Sequence, residues 1–317
     1  MMNTQVTLMK SALEKLLLAY VRWFPLRCGK YRLVERFGRM DFGTNEYIRQ
    51  AKLKYGGYQM DCDLRKMLQR QFYFFGTYVL EEQILARWSE LAKNSQTILD
   101  IGANAGIFSL AAAASNPAAK IHAFEPTPEI AVHLQKTIEQ NGLGESVFLH
   151  QSAVARETGT AYLNFFAGEH NDNEGMNFVT AEGRSAGSVA VKTISIDDFC
   201  SQHGLTVVDL VKIDVQGNEP DVLAGAERLL RRKALRTIFL ELSWDHGDQA
   251  RCPASKVVSM LEKAGYQFAD PRLRLKFRPA GPWLCALSDV AATSGQASSS
   301  AASLTDAAKG TDGHHPA

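Results

Sequence analysis

The chain has 317 residues, of which 45% are hydrophobic and 22% are charged, and its formal net charge is +1. These fractions are those of an ordinary soluble globular protein, and the near-neutral charge argues against a nucleic-acid-binding protein. Five scattered cysteines, none of them in a C-x-x-C pair, argue against a disulfide framework or a zinc site.

The same pattern of cysteines indicates reduced thiols, as in a cytoplasm. The sequence contains no run of about 20 apolar residues that would span a membrane. Glu14 and Lys15 interrupt the apolar segment near the N-terminus, which argues against a signal peptide. We therefore expect a cytoplasmic protein.

Residues 1–40 predict a basic, amphipathic helical extension. They carry eight Lys and Arg against two acidic residues, whereas the remainder of the chain is net acidic. Apolar residues recur at helical spacing from Leu8 to Phe24, and Pro25 ends the pattern. One interpretation is a helix that docks on the main domain or on a second copy in a homodimer. The alternative is peripheral contact of residues 8–39 with anionic lipid at the inner membrane surface.

Residues 41–95 predict a cap or lid layer over one edge of the main sheet. A hairpin is expected between Lys52 and Asp63, around Gly56 and Gly57. A helix is expected from Tyr78 to Ala92, with its apolar side turned inward.

Residues 97–126 predict a strand, a glycine turn, a helix and a second strand that ends in an acid. Gly102 and Gly106 bracket the turn, residues 107–114 are rich in Ala and Leu, and Glu125 follows the second strand. In open α/β sheets, ligands bind at the carboxyl ends of the strands, and an acid at this position commonly binds the hydroxyls of a ribose.

The spacing of the turn separates two nucleoside-type cofactors. A dinucleotide fingerprint is G-x-G-x-x-G, which lets backbone N–H groups hold a pyrophosphate. Here Asn104 stands between Gly102 and Gly106, where the second glycine would be. The pattern therefore favours a ligand without phosphate, such as S-adenosylmethionine.

The remaining elements continue the alternation of helices and strands. We predict helices over 128–141, 219–231 and 254–264, strands over 147–153, 207–215 and 237–243, and a closing hairpin of 266–269 with 283–288. Residues 156–195 predict a β insertion, which is either a plain surface loop or a substrate-contacting segment. Residues 291–317 have few large apolar residues and predict a disordered tail.

Charged residues interrupt two of these strands. Lys212 and Asp214 lie two apart on one face of a strand that should be apolar, and Glu241 is placed similarly in the next strand. Burying an unpaired charge is costly, so either a structural ion pair or a functional site is expected, with Lys212 paired to Asp214 or Glu241.

Three segments, 98–106, 123–126 and 211–219, together resemble the FkbM family of S-adenosylmethionine-dependent methyltransferases. The segment 222–226 is similar to that family's "VL-x-G" helix, and the resemblance covers about residues 50–290. The family usually has Glu-Gly-x-Glu where this chain has Gln216-Gly-Asn-Glu219.

The resemblance implies an α/β class I methyltransferase (Rossmann-like) fold over residues 96–290. Its seven-stranded sheet would have helices on both faces, with only the last strand antiparallel. The resemblance also implies a cofactor site, with the turn at the methionine part, Glu125 at the ribose and Ser152 and Ala153 beside the adenine. The candidate cofactor-binding residues are Asp100, Gly102, Asn104, Gly106, Glu125, Pro126, Ser152 and Ala153.

The family methylates hydroxyls of sugars, polyketides and related metabolites, so a saccharide or small-molecule acceptor is implied. We expect Asp214 to act as general base, with Lys212, Glu241 and Glu219 completing the catalytic set. A divalent metal held by Asp214, Glu241 and Asp245 is a minority alternative, and we expect no metal.

Three other functions stay open at this point. A binding module without turnover is conceivable because of Gln216. A nicotinamide-dependent oxidoreductase is less well supported, because the central glycine and a Tyr-x-x-x-Lys pair are missing. A nucleic-acid methyltransferase is disfavoured by the net acidic domain beyond residue 40.

Overall fold

A mainly parallel β-sheet with helices on both faces forms the centre of the computed structural model. The structure describes residues 2–24, 29–38, 47–165, 177–183, 187–240, 254–268 and 290–293. The first five helices are α1 (Met2–Trp23), α2 (Lys30–Phe37), α3 (Met67–Phe75), α4 (Glu82–Ala92) and α5 (Ile107–Ser115). The others are α6 (Pro128–Gln140), α7 (Ile196–Gln202), α8 (Glu219–Ala224), α9 (Glu227–Arg231) and α10 (Ala254–Lys263), and a 3-10 turn spans Val79–Glu81.

The strands fall into three sheets. The first seven are β1 (Ile48–Lys52), β2 (Gln59–Asp63), β3 (Thr97–Ile101), β4 (Lys120–Phe124), β5 (Val147–His150), β6 (Ala153–Val154) and β7 (Gly159–Asn164). The remainder are β8 (Phe178–Thr180), β9 (Val189–Ile194), β10 (Val208–Ile213), β11 (Leu235–Leu240), β12 (Gln267–Phe268) and β13 (Val290–Thr293).

The main sheet has the strand order β12-β13-β11-β10-β3-β4-β5. The five strands from β11 to β5 are parallel, and β13 is antiparallel to both of its neighbours. The expected α/β class with a parallel central sheet is therefore confirmed.

Apolar strands explain why both faces of the sheet are covered. Along β3, Ile98 packs with α4, α5 and the cap, whereas Leu99 and Ile101 pack on the opposite face with α7 to α10. Because side chains alternate between faces, Asp100 lies on the same face as Ile98, beneath α5. A charged residue is thus placed inside an otherwise apolar layer.

The end of the chain differs from the sequence prediction. Residues 291–293 were expected in a disordered tail, but they form most of β13, which hydrogen-bonds to β11 and β12. The backbone of these residues pairs with a strand on each side, and such pairing does not require large apolar residues. Residues 283–288 and 294–317 lie outside the described residues.

A second sheet, ordered β6-β9-β7-β8, contains three strands of the predicted insertion, β7, β8 and β9. The expected strand over 147–153 was wrong at its end: β5 stops at His150, and Ala153 begins β6, which pairs with β9. Residues 166–176 and 184–186 of the insertion lie outside the described residues.

The predicted helix over 219–231 is two helices. Cα of Gly225 lies so close to the loop after β6 that a Cβ there would come 2.2 Å from the carbonyl oxygen of Ala155. The backbone of Gly225 also accepts a hydrogen bond from the N–H of Asp197, so the chain is held by neighbours at the break. Tertiary contacts therefore override the local helical pattern.

The extension docks on α3. Leu17 and Val21 of α1 and Val34 of α2 pack with Leu64 and Phe74. This contact accounts for the inner side of α1. Within the described part of the chain, no helix has the length and apolar character needed to cross a bilayer.

Two polar contacts reinforce this docking. Glu14 pairs with Arg49 at 2.8 Å, and the fully buried Arg70 pairs with Glu35 at 2.6 Å. Removing one partner of such a pair would leave a charge without compensation, so the contacts fix the extension on the cap.

An aromatic cluster lies between β4, β5 and α7. His122 and His150 are 3.1 Å apart through Nδ1 and Nε2, and both rings contact Phe199. Burial, and secondarily the neighbouring imidazoles, lowers the pKa of His122 and of His150 to about 4. The folded protein therefore favours neutral rings.

We predict that the free energy of unfolding falls as the pH drops from about 6.5 to about 4, where the unfolded chain binds more protons than the folded one. The loss from this pair should be about 2 kcal/mol, allowing for partial solvent screening. Urea denaturation at several pH values measures it. The double variant His122→Phe/His150→Phe should lose less stability with acid than the parent, and an unchanged pH slope would contradict the assignment.

Candidate functional site

A buried lysine joins the ends of the two central strands. Lys212 of β10 and Asp100 of β3 are register partners in neighbouring parallel strands, so their side chains lie on the same face. The Nζ of Lys212 is 3.7 Å from Oδ1 of Asp100, 3.1 Å from Oδ2 of Asp214 and 3.2 Å from the carbonyl oxygen of Gly102. It also lies 4.7 Å from the ring centre of Phe108. The cation thus has partners on β3, on the turn after it, on α5 and on the loop after β10.

Asp100 is the buried partner of Lys212. Its Oδ2 accepts a hydrogen bond from the hydroxyl of Ser109 at 2.6 Å. Burial raises the pKa of Asp100 more than Lys212 and Ser109 lower it. Asp100 therefore contacts Lys212 from the interior of the domain. It is not among the residues that line the cavity, which is described later in this section.

The glycine turn passes directly over the end of β10. A Cβ on Gly102 would come within 1.8 Å of the carbonyl oxygen of Asp214, and the φ of Gly102 is 77°. The N–H of Asp214 donates to the carbonyl of Ile101 at 3.1 Å. Glycine is needed at position 102 so that the turn and the Asp214 backbone can approach each other.

Every backbone N–H from Gly102 to Gly106 has an acceptor within the protein. Gly102 and Ala103 donate to the carbonyl of Phe124, and Gly106 donates to that of Ala103. Asn104 donates to Glu125, and Ala105 donates to the side chain of Asn104. The turn therefore presents a carboxylate rather than a row of free N–H donors, which is the opposite of a pyrophosphate cradle.

Glu125 follows β4 and lies at the centre of this turn. Its Oε2 accepts from the N–H of Asn104 at 2.9 Å, and its Oε1 accepts from the N–H of Thr127 at 2.8 Å. Burial raises the pKa of Glu125, while these hydrogen bonds lower it. Each carboxylate oxygen has capacity for a further donor, because an ionised carboxylate has about four acceptor positions.

Asp214 is the more accessible carboxylate. Its side chain is 23% exposed, and its Oδ1 accepts a hydrogen bond from Nε2 of Gln216 at 2.9 Å. Gln216 adopts a φ of 53°, an uncommon conformation for a residue other than glycine. The backbone thus turns sharply after β10 and directs the Gln216 amide back to Asp214.

Glu219 secures this turn from within. It is buried, and its Oε1 accepts hydrogen bonds from the N–H groups of Val215 and Gly217 at 3.3 and 3.1 Å. Burial raises the pKa of Glu219, and the hydrogen bonds from the loop lower it. Glu219 lies behind the loop and is not among the residues that line the cavity.

A cavity of about 240 Å³ opens over these residues. The strand ends contribute predicted site residues to its wall, namely Gly102, Asn104, Glu125, Pro126, Ser152, Ala153, Lys212 and Asp214. The cap and the second sheet supply the opposite wall, with Leu68, Phe72, Tyr78, Glu81, Leu163, Asn177, Phe178 and Val179. Mixed apolar and polar walls of this kind are typical of small-molecule sites.

The sequence prediction located the strand-end residues but missed others. It did not identify α3, and thus missed Leu68 and Phe72. It also predicted an ion pair of Lys212 with Asp214 or Glu241, and it did not identify Asp100, the register partner of Lys212. Glu241 and Asp245 lie outside the described residues.

In the main sheet, β13 is inserted antiparallel between β11 and β12, and an acid follows β4. Together these two features define a methyltransferase-type α/β protein. The model of the FkbM methyltransferase domain matches residues 100–268. The chain therefore belongs to the FkbM methyltransferase family.

Three curated relatives indicate the range of the similarity. The chain is 29% identical to the 2-O-methyltransferase NoeI of Sinorhizobium fredii, over 55% of this chain and 74% of that protein. It is 32% identical to the methyltransferase sdnD of Sordaria araneosa, over 55% and 75%. It is 27% identical to the 31-O-demethyl-FK506 methyltransferase FkbM of Streptomyces tacrolimicus, over 41% and 59%. Methyltransferase chemistry is common to all three names.

We predict that Gly102→Ala lowers the free energy of unfolding by about 3 kcal/mol or more, because the new methyl group must displace the Asp214 backbone and also occupy an unfavourable φ. The midpoint of urea denaturation reports the change. Gly144→Ala is the matched control, since a Cβ at Gly144 meets no atom within 4 Å. Equal stability of the two variants would be inconsistent with the close approach.

Proposed function

We propose that this protein is an S-adenosylmethionine-dependent O-methyltransferase acting on a hydroxyl of a saccharide or small biosynthetic metabolite. The observation that carries the proposal is the Glu125 carboxylate, fixed by two backbone N–H groups at the end of β4 and open to the cavity. A carboxylate at this position suits the two hydroxyls of a ribose.

The glycine turn favours S-adenosylmethionine over a nicotinamide dinucleotide. A pyrophosphate needs free backbone N–H donors, but the N–H groups of residues 102–106 are engaged within the protein. Residues 152 and 153 border the cavity beyond Glu125, where they would flank an adenine. This set of donors and acceptors fits a nucleoside without phosphate.

Asp214 is the proposed general base. When bound, S-adenosylmethionine would supply a methyl group on a positively charged sulfur, and the S–C bond would break to leave the neutral thioether of S-adenosylhomocysteine. The acceptor hydroxyl must lose its proton as its oxygen forms the new C–O bond, and Asp214, a carboxylate that lines the cavity, would accept that proton. Its position depends on the Lys212 ammonium and the Gln216 amide, each within about 3 Å.

Lys212 and Glu219 are proposed as positioning residues. Lys212 holds Oδ2 of Asp214, and Glu219 holds the loop that follows Asp214. The usual glutamate of the family is Gln216 here, and its amide donates to Asp214, so the departure supports the orientation of the base. The proposed contribution of Glu241 to the same set depends on the sequence pattern alone.

The relatives and the cavity support the proposed acceptor class. The name of NoeI specifies methyl transfer to an oxygen at position 2, and the name of FkbM from Streptomyces tacrolimicus specifies a substrate that lacks an O-methyl group at position 31. The wall formed by Phe72, Tyr78 and Asn177 combines apolar rings with polar groups. Such a wall suits a hydroxylated organic molecule.

We expect Glu125→Gln to weaken binding of S-adenosylmethionine and S-adenosylhomocysteine by about 10-fold or more, since charge-assisted hydrogen bonds to the ribose are lost. Calorimetric titration with both ligands and with NAD⁺ measures this. Glu129→Gln, an exposed position four residues later in α6, is the control. The melting temperature separates loss of ligand from loss of fold. Unchanged affinity, or binding of NAD⁺ alone, would refute the cofactor assignment.

We expect Asp214→Asn to reduce turnover by about 10²-fold or more while the affinity for S-adenosylmethionine changes little. Release of S-adenosylhomocysteine with a panel of saccharides and hydroxylated metabolites provides the assay. Asp221→Asn, a half-exposed carboxylate on α8 that pairs with Arg156, is the matched control.

Two other outcomes have distinct meanings. Parallel loss of cofactor affinity in Asp214→Asn would make Asp214 a binding residue rather than the base. Cofactor binding by the parent protein without turnover of any acceptor in the panel would favour a binding module.

A further inference from the structure

Helix α1 has a second apolar side that faces away from the domain. Its inner side contains Leu17 and Val21, which pack against α3. On an adjacent side, apolar residues recur every three or four positions, which places them in one line along the helix. We call the exposed residues of this line the outer stripe; they are Met9, Leu13, Leu16 and Trp23, and the partly buried Tyr20 joins them to the inner cluster.

The outer stripe is exposed to an unusual degree. Met9 is 73% exposed, Leu16 is 68% exposed and Trp23 is 85% exposed. Phe24, directly after α1, and Phe37, at the end of α2, are exposed as well. Several large exposed apolar residues on one helix are typical of a site of interaction.

The orientation of the stripe is fixed by contacts on the inner side. Glu14 pairs with Arg49 and accepts a hydrogen bond from the hydroxyl of Tyr73. Arg22 donates to the carbonyl oxygen of Tyr73 at 2.8 Å. These bonds tie α1 to α3 and β1 along its length, so the stripe is presented outward by a preorganised helix.

The same contacts leave the outer surface cationic. The only acidic residues among residues 1–40 are Glu14 and Glu35, and each is paired with an arginine of the cap. Lys15, Arg32 and Arg36 are exposed on α1 and α2. The extension therefore combines an exposed apolar stripe with exposed positive charges, and its two acidic residues are already paired with arginines of the cap.

We propose that the outer stripe of α1 docks on an anionic lipid bilayer, with the helix lying parallel to the surface. Apolar side chains would enter the boundary between headgroups and acyl chains, and the flanking cations would bind the anionic headgroups. An exposed tryptophan at the end of the stripe is suited to that interface.

A second copy of the chain is a less suitable occupant. Two such surfaces would bring their positive charges together without acidic partners. Charge thus favours the bilayer.

The test is flotation of the full chain with vesicles of phosphatidylcholine, alone or mixed with phosphatidylglycerol. We expect binding at least about tenfold stronger to the anionic vesicles, and weaker at high salt. Leu16→Glu and Trp23→Glu should each reduce binding at least about tenfold. Arg32→Glu/Arg36→Glu should remove the preference for anionic vesicles. Val132→Glu, at a 69% exposed apolar position on α6, is the matched control and should bind normally.

Two results would overturn the proposal. One is failure of the parent protein to bind anionic vesicles. The other is a dimer, measured by light scattering, that Leu16→Glu converts to a monomer. Calorimetry with S-adenosylmethionine on the same variants shows that they are folded, and it keeps this question separate from the cofactor assignment, because no residue of the stripe lines the cavity.

Discussion

The architecture of the site depends on the ion pairs and the hydrogen bond of the Lys212 ammonium. A buried cation is costly unless charges and hydrogen bonds compensate for it. Asp100, Asp214 and the Gly102 carbonyl provide that compensation, and the ring of Phe108 lies 4.7 Å from the ammonium. Because these partners come from β3, the turn after it, α5 and the loop after β10, one side chain holds four segments in a fixed relation. Accessible Asp214 and buried Asp100 thus share one cation.

The turn between β3 and α5 combines two functions in one short segment. The backbone N–H groups of this turn donate hydrogen bonds to acceptors within the protein. The turn therefore forms a rigid floor of the cavity whose shape does not depend on a ligand. Glu125 serves as a hydrogen-bond acceptor for this floor and is also open to the cavity. The residue that would bind a ribose therefore also organises the loop around it, which reduces the reorganisation needed for binding.

The cap links the outer surface of the protein to the cavity. On α3, Tyr73 and Phe74 contact the extension, whereas Leu68 and Phe72 face the cavity. A surface that docks through α1 would therefore lie about one helix layer from the acceptor wall, since packed helices are about 8–10 Å apart. The exposed side of α1 and the cavity are thus connected through one helix, α3.

The sequence by itself determined the parallel core, the turn and the position of Glu125. These features depend on local apolar runs and on residues at fixed offsets, which follow from backbone geometry and side-chain alternation. Tertiary structure alone decided the rest. Lys212 pairs with Asp100 because of strand order and register, which join residues 112 positions apart in the chain. Gly225 ends a helix because another loop approaches it, and residues 290–293 form a strand because an open position exists between β11 and β12. Long-range pairing of this kind has no local signal, because its stabilisation comes from a partner far away in the sequence.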